Sequence, residues 1–246
     1  MIFFKLKGYN RFVRLSFLKD WVSPWRAYIA EFLGTFIFVL FSCGAVLADS
    51  YWGNLGSVGI ALCVGFSYAA LIYMTSHLSG GFLNPAVTLS LWLVRRLPGF
   101  KAIIFIIVQV AASFAAAGTL LFVFGRESTT YFLGGPTVGV NISFEVAVAL
   151  EAILTAVLVF AVFSTMIDRG GPVSFGPLVI GFVLISAYLI GLPTSGVSLN
   201  PARAIGPIVI SGNLTNLAIW IISPLAGSLF AVFYNLVFIR KPAKSR

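Results

Sequence analysis

The sequence predicts an all-α membrane protein with six transmembrane helices and two re-entrant half-helices, arranged as an inverted repeat. Three observations lead there. The 246 residues are 59% hydrophobic and only 9% charged, with mean hydropathy +1.03; soluble domains of this length carry far more charge. Six apolar runs reach about the 20 residues needed to cross a ~30 Å hydrocarbon core. One odd segment occurs twice: SGGFLNPAVT at 79–88 and SGVSLNPARA at 195–204 share Ser-Gly and Leu-Asn-Pro-Ala at identical offsets.

Taken in order, residues 1–25 form a basic tail in which Phe and Trp interleave with Lys and Arg. It lacks the sequence of basic start, apolar core and small-residue cleavage site that marks a signal peptide, so it reads as a cytoplasmic tail or a helix lying among headgroups. The membrane domain covers 26–239, and a second basic tail covers 240–246. Spans are expected at 28–47, 57–76, 102–125, 144–166, 175–192 and 217–239. Stretches containing Gly, Asn or Asp separate them at 49–56, 126–143, 168–174 and 211–216.

The repeat reaches beyond the duplicated segment. Gly65-Phe66 and Gly181-Phe182 stand 116 residues apart, as do Asn84 and Asn200. Glu31 with Thr35 recurs as Glu151 with Thr155. The half-repeats, about 26–125 and 144–239, therefore each hold three spans and one half-helix. Three crossings are an odd number, so the second half enters the membrane from the opposite face.

Each duplicated segment reads as a loop that dips to mid-membrane and then starts a helix. Asn84 and Asn200 suit the N-cap, Pro85 and Pro201 the first helical position, and Ala86 and Ala202 the turn that follows. A helix of about ten residues is ~15 Å long, half the hydrocarbon thickness. Inversion turns the two N-termini toward each other, each with a partial positive charge and free N–H donors. Capping alone would account for either Asn. Irregular backbone at this depth, however, is tolerated only where protein or a lumen surrounds it.

The net charge of +9 follows topology and does not indicate nucleic acid. With the N-terminus inside, the cytoplasmic face collects six basic residues before the first span, then Arg95, Arg96 and Lys101, then Arg169, then four at the C-terminus: fourteen of sixteen. Cys43 and Cys63 both lie in apolar runs and indicate neither a disulfide framework nor a metal site. One histidine and two separated cysteines supply no nucleophile–base pair, so no enzyme and no cofactor are expected.

With its paired LNPA segments, the chain resembles the aquaporin (major intrinsic protein) family. The resemblance implies a passive channel for water in the cell membrane, multi-pass with both termini cytoplasmic, and a homotetramer embedded in the lipid bilayer. It places the pore at the motifs Asn84-Pro85-Ala86 and Asn200-Pro201-Ala202. Counting out from the two Asn as family members do makes the selectivity filter Val64, Tyr188, Val197 and Arg203. Arg203 would offer donors to passing oxygens and repel cations; a salt-bridged arginine at a helix end is the alternative. Water-specific members usually carry Phe, His and a small residue beside the arginine, whereas glycerol-passing members carry Trp, Gly and Phe with Asp after it. Val64 and Ala204 depart from both patterns, so small uncharged solutes join water as expected permeants and a glycerol facilitator is the alternative.

Two buried acids related by the repeat, Glu31 and Glu151, are assigned to bracing the N–H groups of the dipping loops, as their family counterparts do. Gln109 is expected to link helix to loop. His77, the sole histidine, either faces the inner vestibule or ties down the loop start. An ion-coupled secondary transporter also uses inverted repeats and broken helices, but with both acids committed to loops no charge relay remains.

Overall fold

In the computed structural model the described residues are 24–168 and 170–239. The expected basic tails lie outside them, except that Trp25 opens the first helix. Nine α-helices occur among the described residues: α1 (Trp25–Trp52), α2 (Gly56–Thr75), α3 (Pro85–Leu93), α4 (Gly99–Phe124), α5 (Phe144–Val162), α6 (Gly176–Gly191), α7 (Pro201–Ser211), α8 (Leu217–Ser228) and α9 (Phe230–Val237). No strand occurs among the described residues. Among the described residues six segments are long and apolar enough to cross a membrane: α1, α2, α4, Phe144–Ile167, Val173–Gly191 and Leu217–Val237. The short α3 and α7 are the two half-helices.

The span edges move by a few residues from the expected ones. The stretch expected to be loop at 49–56 is helical through Trp52. Gly53 then turns left-handed at φ 63°, and the Asp49 carboxylate collects the N–H groups of Leu55 (2.9 Å) and Gly56 (2.8 Å). A π-helical turn, Phe163–Ile167, extends α5. The last span is not one helix: it breaks at Leu229, whose N–H bonds to Ala226 three residues back. Pro224, inside α8, supplies no N–H to the ladder and weakens it there. The stretch 126–143 contains a 3-10 segment, Arg126–Gly134, in which Phe132 and Leu133 sit at φ 53° and 52°.

The two halves cross closely at their repeat-related glycines. A Cβ on Gly65 of α2 would lie 2.4 Å from the Gly181 carbonyl, and one on Gly181 of α6 would lie 2.6 Å from the Gly65 carbonyl. Only small residues let two backbones approach this far, and close packing is what associates helices in lipid. α1 against α4 and α5 against α8 complete the equivalent contacts of each half. This frame brings the dipping loops, 79–84 and 195–200, to its centre.

Candidate functional site

Each dipping loop hangs on one buried carboxylate. Glu31, fully buried in α1, accepts from Ser79 Oγ (2.6 Å) and the Phe82 N–H (3.0 Å) through Oε1, and from the Leu83 N–H (2.7 Å) through Oε2. Gln109 Nε2 adds a 2.8 Å bond to Oε2 and another of 3.0 Å to Thr88 Oγ1. Glu151, equally buried in α5, repeats the pattern with Ser195 Oγ (2.8 Å), the Ser198 N–H (3.0 Å) and the Leu199 N–H (3.0 Å). A carboxylate accepts several donors at once, and loop N–H groups at this depth have no water to turn to.

The braces hold a strained backbone. Leu83 and Leu199 occupy the left-handed region at φ 52° and 55°, which costs a non-glycine residue about 1–3 kcal/mol and persists only where surroundings over-determine it. The peptide of each leucine is gripped at both ends. Its N–H goes to the carboxylate of its own half, while its C=O receives the asparagine of the other half. Asn84 Nδ2 donates to Leu199 O at 2.9 Å, and Asn200 Nδ2 donates to Leu83 O at 2.9 Å. Each Asn Oδ1 also caps its half-helix, accepting from the Ala86 N–H (2.8 Å) and the Ala202 N–H (2.9 Å). The asparagines therefore cap their helices and cross-link the loops together, with Pro85 and Pro201 at the first helical positions.

Of the four candidate filter residues, Tyr188, Val197 and Arg203 meet directly. Arg203 is fully buried; Nη1 donates to Val197 O at 3.0 Å and Nη2 to Gly134 O at 3.3 Å. Its guanidinium carbon lies 5.4 Å from the centre of the Tyr188 ring. Both partners are backbone carbonyls, and no ion pair holds it among the described residues. Val64 is buried in the same apolar cluster as Tyr188 and Val197. Arg203 Nε and Tyr188 Oη are both buried, and neither has a hydrogen-bond partner of normal geometry. Buried donors left over beside one another are what a passing hydrogen-bonding molecule would use.

A profile of the Major intrinsic protein family matches residues 18–235. This chain belongs to that family. It is 34% identical to mouse aquaporin-4 over 235 residues, covering 92% of this chain and 72% of that one. It is 39% identical to Arabidopsis aquaporin TIP4-1 over 223 residues, covering 88% of each. The aquaglyceroporin of Plasmodium falciparum has the same fold at TM-score 0.78 and 23% identity, over 87% of this chain and 96% of that one.

In this aquaporin-family chain a vestibule of about 510 Å³ opens from the loop at 79–82 toward the end of α5 and the start of α6. His77 is exposed and lines it, as do Tyr68, Ile72, Phe82, Val162 and Ile180. Cys63 Sγ turns toward Phe41 O of α1 at 3.8 Å, off the Val64 face.

Sequence reasoning missed three supports. Gly134 supplies one of the two carbonyls that orient Arg203, and at φ 71° a Cβ there would lie 2.0 Å from the Cys43 carbonyl, so only glycine fits. Ser113 of α4 donates to Ala202 O and accepts from the Gly206 N–H (2.9 Å), fastening the second half-helix. Trp220 Nε1 holds the Ser195 carbonyl at 2.8 Å. Nothing in the sequence pointed to these partners.

Proposed function

We propose that this multi-pass membrane protein is a passive channel for water that also admits some small uncharged solutes and excludes protons and ions. In this reading it has no catalytic activity and no cofactor, and it works as a homotetramer in the cell membrane with both termini cytoplasmic. One observation carries the reading: each of two half-helix N-termini bears an asparagine amide tied to the opposite loop. An amide nitrogen carries two N–H groups, and one bond fixes only one of them. A water reaching this level turns its oxygen to the amides and its hydrogens outward, which interrupts a proton wire. The facing positive helix ends raise the energy of any cation.

The filter supports water as the main permeant. In this reading the passage runs beside the Tyr188 ring and Arg203, with Val64 as its apolar side and two polar groups opposite. Water needs only that. Glycerol needs a broad apolar wall for its carbons, and Tyr188 occupies the space. Both buried acids, Glu31 and Glu151, are engaged by loop donors, which leaves an ion-coupled transporter without a proton or cation relay.

Stopped-flow light scattering on proteoliposomes tests the proposal. Rapid shrinkage in a sucrose gradient and slow recovery in a glycerol gradient are expected. Glycerol recovery as fast as the water phase would replace this reading with a glycerol facilitator, and flux dependent on an ion gradient would replace it with a transporter.

A further inference from the structure

The repeat identifies equivalent buried residues that belong to neither motif. Sixteen residues before each motif asparagine stand Tyr68 and Leu184; seven after each bracing glutamate stand Phe38 and Leu158. All four are at most 2% exposed and belong to one apolar cluster, together with Leu83, Val64 and Tyr188. The two halves are equivalent in position but not in content. The second half contributes two leucines. The first contributes two rings, edge to face with centroids 4.7 Å apart.

Tyr68 lies one helical turn beyond Val64, on the same face of α2. It lines the inner vestibule, whereas Val64, Tyr188, Val197 and Arg203 do not. Its ring reaches from α2 to the first dipping loop, where Oη donates to the Phe82 carbonyl at 2.7 Å. Phe38 backs one side of the ring, so the side chain is held at both its edge and its tip. A carbon-rich solute must pass this ring, where the equivalent position of the other half is Leu184.

We infer that Tyr68 is a second specificity-determining residue of the channel, a constriction in series with the Tyr188–Arg203 filter and on the vestibule side of the asparagine pair. It passes water and rejects small polyols. The inference rests on the water-channel reading above, and water flux through the unaltered protein tests that reading separately.

Barriers in series add, so opening one leaves the other in control. The readout is the ratio of glycerol to water permeability in proteoliposomes. Tyr188→Gly alone and Tyr68→Leu alone are each expected to raise the ratio about twofold, and the double variant by about tenfold or more, since pore width and lining set solute passage. Tyr68→Phe keeps the ring and is expected to retain the wild-type ratio. A Tyr188→Gly ratio equal to that of the double variant would overturn the inference. So would a Tyr68→Phe ratio as high as that of Tyr68→Leu, because the hydroxyl brace and not the ring would then be the determinant. If Tyr68→Leu does not reconstitute, Tyr188→Gly decides alone: a tenfold rise refutes a second barrier and a twofold rise supports it.

Discussion

Removing one bracing carboxylate should unfold a loop before it alters selectivity. In Glu31→Ala, Ser79 Oγ retains the Thr75 carbonyl at 3.4 Å and Gln109 Nε2 retains Thr88 Oγ1 at 3.0 Å. The Phe82 and Leu83 N–H groups have no such alternative and are left stranded. Two buried donors without partners cost about 2–6 kcal/mol. Glu151→Ala strands the Ser198 and Leu199 N–H groups in the same way and removes the acceptor of Ser195 Oγ, which lacks the second acceptor that Ser79 has, so its loss should be at least as large. Glu31→Gln keeps the length but points an amide N–H₂ at one of the two backbone donors, and should cost roughly half as much. A loss of this size lowers the unfolding midpoint on the order of 10 °C for a chain of this length. Thermal unfolding in detergent, followed by tryptophan fluorescence, measures it, with flux through the surviving folded fraction measured alongside. Glu31→Ala with normal thermal stability and abolished flux would place the carboxylate on the permeation path and refute the bracing argument.

The remaining predictions concern the asparagines and the cysteines. Asn200→Asp removes the donor to Leu83 O and places a carboxylate between the two positive helix ends, so it should admit cations and lose about 1–3 kcal/mol of stability. Planar-bilayer currents check the first effect, and a variant as cation-tight as the wild type would move the midplane barrier elsewhere. Asn84→Asp should behave alike, since Leu199 O loses the equivalent donor. Mercurials should inhibit weakly, because Cys43 is fully buried and Cys63 faces α1. Complete block that disappears in Cys63→Ser would show that the lumen lies on the other face of α2.

What the sequence revealed was chemistry that is local or costly in lipid. Asn-Pro after an apolar run starts a helix through its own side chain and ring, so Pro85–Leu93 and Pro201–Ser211 were legible at their first residues. Glu31 and Glu151 stood out because an acid in a span needs a reason, and the repeat supplied the same reason twice. The segment Arg126–Gly134 was illegible. Its left-handed turns at Phe132 and Leu133 lie in a segment packed against α1, α4 and α7, and its composition reads as loop. Gly134 looked like one more loop glycine until Cys43 and Arg203 were placed beside it. Tyr68 was hidden for the opposite reason: an aromatic inside an apolar span is unremarkable until its hydroxyl finds a loop carbonyl.

The reciprocal grip on Leu83 and Leu199 bears on how such a chain is made. When synthesis has reached residue 125, Leu83 has its own glutamate but not Asn200, a partner 117 positions along the chain. Asn84 likewise waits for a carbonyl 115 positions away. The first half therefore enters the bilayer with its central turn half-fastened and an amide and a carbonyl unmatched at the depth where water is scarcest. The second half arrives with the complementary deficit. Maturation is then the meeting of two incomplete pieces, each serving as the other's last hydrogen-bonding partner. The step that closes the centre is also the step that joins the halves, so a wrongly inserted second half would leave the first visibly unfinished to whatever surveys new membrane proteins.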